Sequence, residues 1–187
     1  MTASAPLRPS KPRSPKVRLS RRPRRIVRAV HIVFTGGWVG LVVGMCILGL
    51  SAAFGSDPGF ALTCYEVMRR FGVAIPIFAL GSIFTGLVLS AVTPWGLVRY
   101  WWTITKAVLA LATIVTAVML GGSWREQAIV LLEAHFPAAP GSSAAWLLVG
   151  SSVAHLLMLA AATVISVDKP WGTTPRGRVR RTTARRS

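Results

Sequence analysis

The sequence predicts an all-α membrane protein, a bundle of four transmembrane helices, and three observations predict it. The chain of 187 residues is 52% hydrophobic yet carries a net charge of +17. Its apolar residues gather into four long runs, at 26–53, 71–92, 101–121 and 143–167. Each run supplies the roughly 20 residues that a helix rising 1.5 Å per residue needs to cross about 30 Å of hydrocarbon. The charges lie mainly outside these runs, at the two ends of the chain. None of the runs alternates apolar with polar residues as a barrel strand would, and lipid offers no partner to an unpaired backbone amide, so the spans are helices.

Residues 1–25 form a basic tail with five prolines; too little apolar surface is present to offset ordering, and disorder is expected. We read the tail as a polybasic flank resting on anionic lipid headgroups, not as a nucleic-acid arm. The first span follows at 26–53. Its apolar stretch exceeds the 7–15 residues of a secretory signal, and Arg24 stands where a twin-arginine signal has an apolar residue, so it is read as retained. Cys46 in this span and Cys64 beyond it differ in depth, and free thiols are expected. Asp57-Pro58-Gly59 is a turn, Glu66 and Arg70 stand at the spacing of a helix-surface ion pair, and Pro76 is a candidate kink in the second span.

Between the third and fourth spans, Ser123-Trp124-Arg125-Glu126 has the form of a capping box. Trp124, Ala128, Leu131, Leu132, His135 and Phe136 then recur at helical spacing until Pro137. The expectation is a short amphipathic helix lying on the outer membrane surface. The basic segment 168–187 closes the chain. A repeat is also visible: Thr93-Pro94-Trp95-Gly96 follows the second span and Lys169-Pro170-Trp171-Gly172 follows the fourth, which suggests two tandem helical hairpins. In each, proline stops the helix, glycine permits the turn and tryptophan anchors at the interface.

Basic residues set the topology. The flank through Arg28 holds ten, Arg99 lies in the second loop and seven follow from Lys169, whereas Arg69, Arg70 and Arg125 lie on the other side. Both termini are therefore expected in the cytoplasm of a bacterial plasma membrane. Trp95, Tyr100, Trp101, Trp102 and Trp171 then mark the inner interface, and Trp124 and Trp146 the outer one.

Candidate functional residues are few. Gly36, Gly40 and Gly44 in the first span, and Ser82, Gly86 and Ser90 in the second, make four-residue stripes of small side chains, read as helix-packing seams. His31 lies near the inner end of its span and His155 near the middle of the fourth, roughly 10 Å apart in depth, which argues against a shared haem iron. Lys106 is an intramembrane charge, either a site or a side chain that snorkels toward Trp101 and Trp102. Because the hairpin offset places His31 beside Lys106, the two form a candidate polar pocket. The sequence carries no nucleophile motif, paired carboxylates, phosphate-binding loop or metal-ligand spacing. We therefore expect no catalytic, cofactor or metal residues and no enzyme activity.

His31-x6-Trp38-x-Gly40 resembles the opening helix of the copper-resistance D-type membrane proteins. The two Pro-Trp-Gly motifs, Tyr100-Trp101-Trp102 with Lys106, and Thr173-Thr174-Pro175 resemble an uncharacterised actinobacterial family of four-span integral membrane proteins. The resemblance covers residues 26–178 and implies the four-span architecture. It is not extended to copper, because the further histidines and methionines of a metal path are not evident. The expected function is a structural or accessory subunit that binds lipid, anionic lipid at the cytoplasmic face above all, or a membrane-protein partner or second copy, and no nucleic acid. The alternatives are a small-molecule or metal-ion transport component and a b-type membrane cytochrome.

Overall fold

The computed structural model describes residues 20–92, 97–135 and 142–175. The tail before Ser20, the Thr93–Gly96 motif, Phe136, Pro137 and the arginines beyond Pro175 lie outside the described residues. Five α-helices are present: α1 (Arg21–Phe54), α2 (Pro58–Val92), α3 (Trp101–Thr116), α4 (Gly122–His135) and α5 (Ser143–Asp168). A π-turn, Ala117–Gly121, joins α3 to α4. Four helical stretches are long and apolar enough to cross a membrane, with α3, the π-turn and α4 together making the third. The chain is a multi-pass helical membrane protein.

Helix α1 packs along α2 and against α5; α3 packs on α5, and α4 on α5 and α2. The α1–α2 seam is built by glycines facing rings. A Cβ on Gly37 would run into the Phe78 ring, and one on Gly81 into the ring of Phe34. A Cβ on Gly44 would come within 2.6 Å of Phe71 Cε2. Phe34 and Phe78 themselves meet edge to face at 6.1 Å. The seam thus runs through Gly37 and Gly44, not along the expected Gly36-Gly40-Gly44 stripe. Gly36 and Gly40 face outward, and a Cβ on either would meet nothing within 4 Å. On α2, two residues of the expected stripe meet α1: Ser82 bonds Thr35 at 2.8 Å, and Gly86 lies under the His31 ring.

At the end away from the termini, Asp57 starts α2 by accepting the Gly59 amide at 3.0 Å, with Pro58 in the first helical position, where its missing N–H costs nothing. The helix therefore begins more than three turns before the expected 71, and runs on through Pro76. The Glu66–Arg70 pair is not made. Glu66 takes Arg69 at 3.3 Å instead, because Arg69 is also drawn to Glu126 on α4 at 2.9 Å.

The segment expected as a separate surface helix is a continuation of the third span. Ser123 caps nothing and donates back to the Leu120 carbonyl at 3.0 Å. Two consecutive glycines cost a helix about 1 kcal/mol each relative to alanine. Burying Ala128, Ile129 and Leu132 in a cluster with Tyr65, Met68 and Leu148 outweighs that cost. Both cysteines are free, and Cys64 is buried in the same cluster.

The fourth span is capped by Ser142, whose hydroxyl accepts the Ala145 amide at 3.3 Å. It ends on Lys169, which takes the left-handed conformation at φ 47°. The turn expected of Gly172 is therefore made three residues earlier, before Pro170. The chain then returns along the start of α3. Tyr100 and Thr173 form an antiparallel bridge, and the Thr174 amide donates to the Arg99 carbonyl at 2.9 Å. The Thr174 hydroxyl donates to the Val98 carbonyl at 2.7 Å, and these two residues stand 76 positions apart, the offset of the Pro-Trp-Gly repeat.

Candidate functional site

His31 on α1 and Lys106 on α3 lie toward the end of the bundle near the termini. His31 is held between α1 and α2 by a 2.9 Å bond from its Nδ1 to Thr85 Oγ1. The Thr85 hydroxyl has one hydrogen, and this is directed to the Gly81 carbonyl at 2.7 Å. Thr85 therefore accepts and His31 donates its Nδ1–H. That leaves Nε2 outside the helix–helix bond. Gly86 makes room for the ring: a Cβ there would sit 3.2 Å from His31 Cε1.

Lys106 lies five residues into α3, one turn beyond Trp102 and Thr103 on the same face. Its ammonium stands over the Trp102 ring, 5.3 Å from the centroid. Of the two tryptophans that open α3, Trp102 is buried and receives the cation, whereas Trp101 is half exposed. Helix α3 packs on α5 and touches α2, but it does not touch α1, which carries His31. Arg69 pairs with Glu66 and with Glu126, and Arg125 pairs with Glu126. All three pairs lie at the opposite end of the bundle, and none includes Lys106.

His155 is a separate feature. Its Nε2 meets Thr116 Oγ1 at 2.8 Å, and Thr116 donates to the Ala112 carbonyl at 2.7 Å, so His155 is also a donor to a threonine across a helix seam. The two histidines are thus bound to different helix pairs, α1–α2 and α3–α5. Among the described residues no group of three or more His, Cys, Asp or Glu side chains gathers as a metal-ligand set.

Sequence reasoning singled out His31 and Lys106 but missed their polar surroundings. Thr85 and Thr116 look like ordinary helix hydroxyls in the sequence, and only the rotation of each helix shows that they meet histidines. Thr103 was missed for the same reason. No family model, curated protein or solved structure matches the chain.

Proposed function

We propose that this membrane protein is a non-enzymatic accessory subunit of a bacterial plasma membrane, with both tails in the cytoplasm. In this reading its basic end takes an anionic group, first of all a phospholipid headgroup, at Lys106 and His31. The observation that carries the proposal is Lys106 itself. It is an ammonium on a spanning helix, set on an aromatic face and paired with no carboxylate among the described residues. A charge in that position is tolerable when an opposite charge or a polar route compensates it. The start of α1 supports the same reading. Its first turn holds arginines and no acid, at the positive end of the helix dipole, an arrangement that nearby anions stabilise. The motif resemblance to actinobacterial four-span proteins fits this placement.

The test is native mass spectrometry of protein purified with phosphatidylglycerol. Lys106→Gln should lose bound lipid and Lys106→Arg should largely keep it; equal retention in wild type and Lys106→Gln refutes the reading. Reporter fusions after Ser187 and in the 1–25 tail should report cytoplasm, and one within 137–142 the outside.

A further inference from the structure

Thr103 is 3% exposed, and its hydroxyl has no hydrogen-bond partner. Buried hydroxyls are nearly always satisfied, because leaving one unpaired costs stability that an apolar side chain of the same shape would not. The threonines elsewhere on α3 show the usual solution: Thr113 donates to Leu109 at 2.9 Å and Thr116 to Ala112 at 2.7 Å, each four residues back. Thr103 lies in the first turn of α3, where the residue four back is Arg99, outside the helix. Its own amide is used by the Tyr100 carbonyl at 3.2 Å. The hydroxyl is thus held in place by the helix and engaged by nothing in it.

Thr103 and Lys106 are three residues apart in one helix, so their side chains are neighbours on a single face. That face turns into the bundle: Thr103 is buried, and Lys106 stands on the buried Trp102 ring. The pair offers one hydroxyl and one ammonium on one helix face, near the positive end of α3. Thr103 and Lys106 bring donors and no obligate acceptor. Its chemistry is complementary to a group that carries negative charge on two or more oxygens.

We propose that Thr103 is the second anchor of the anion site, donating its hydroxyl to one oxygen of a phosphate group while Lys106 pairs with another. The inference rests on the Lys106 reading above and extends it. A hydroxyl donor beside the ammonium distinguishes a phosphate from a lone point charge, and makes binding depend on a residue that carries no charge. The phosphate has two sources, a phospholipid headgroup or free phosphate.

The decisive variant is Thr103→Val, which keeps the shape and removes the unpaired hydroxyl. As a purely structural residue Thr103 gains from this change, so the thermal midpoint in detergent should be unchanged or raised. As an anchor it loses a charge-assisted bond, and binding of phosphatidylglycerol in nanodiscs should fall roughly tenfold, with Thr103→Ser restoring it. Inorganic phosphate added to protein in phosphatidylcholine nanodiscs is the second arm. Competition by phosphate with phosphatidylglycerol supports a phosphate site open to solvent, and no competition supports a site filled from the leaflet. Wild-type binding in Thr103→Val, alongside loss in Lys106→Gln, overturns the role of Thr103 and leaves the Lys106 reading standing. Wild-type binding in both variants overturns both.

Discussion

Two glycines three positions apart on α1 should respond in opposite directions to the same substitution. Gly37 faces the Phe78 ring, whereas Gly40 faces open space. Adding a methyl at Gly37 forces Phe78 to move, and overpacking of this kind costs typically about 1–3 kcal/mol. The displaced ring also gives up its edge-to-face contact with Phe34, worth about 0.5–1.5 kcal/mol beyond burial and included in that range. Against this, replacing glycine by alanine inside a helix gains about 1 kcal/mol. Gly37→Ala should therefore lose up to about 2 kcal/mol net, as overpacking exceeds propensity. Gly40→Ala meets no neighbour and keeps the propensity gain of up to about 1 kcal/mol. The two variants should differ by about 1–3 kcal/mol in reversible unfolding in mixed micelles. Gly40→Leu should be near neutral in the same assay, although a stripe read from sequence alone puts Gly40 at the contact. Equal effects at the two positions, or a larger loss at Gly40, would refute the glycine-to-ring account of the seam.

Other seams make comparable demands. Thr116→Val leaves the His155 Nε2–H without its acceptor and should cost about 1–3 kcal/mol in micelle unfolding, part of which Thr116→Val with His155→Phe recovers, because removing both partners is cheaper than removing one. The Arg69–Glu126 bridge joins α2 to α4 through side chains 44% and 52% exposed, so a double-mutant cycle should give a coupling of about 0.2–1 kcal/mol. That coupling should shrink as salt is raised to about 1 M, where the Debye length is near 3 Å; a coupling that ignores salt would show the pair to be desolvated.

The membrane class and the four spans were legible because they rest on length and composition, which the sequence states directly. Helix rotation was not. The Gly36-Gly40-Gly44 spacing is a valid stripe on an isolated helix, but the neighbouring rings of Phe71 and Phe78 select Gly37 and Gly44, about 60° away at its centre. The continuity of the third span was hidden for a related reason. Gly121-Gly122 and Ser123 read locally as a break and a cap, and only the burial of Ala128, Ile129 and Leu132 against other helices decides for helix. The same holds at the site. Lys106 announces itself as a charge in an apolar run, whereas Thr103 becomes informative only when its hydroxyl is seen to be buried and unpaired.

The acidic residues are unevenly distributed between the two ends of the bundle. The chain has five acidic residues against 22 basic ones. Glu66 and Glu126 are engaged with Arg69 and Arg125, and Asp57 is spent on the start of α2. Glu133 lies on α4, at that same end. Asp168, the last residue of α5, is the sole carboxylate side chain left for the end that carries Lys106 and the arginines of the first turn of α1. At the far end Arg69 and Arg125 thus find carboxylates within the chain, and the Arg69–Glu126 pair joins α2 to α4. On the proposal above, the further counter-charge at the basic end comes from a lipid headgroup or free phosphate. An isolated buried cation is tolerated only with compensation. Lys106, on a spanning helix and paired with no carboxylate among the described residues, is thus the position at which the identity of that counter-charge should matter most.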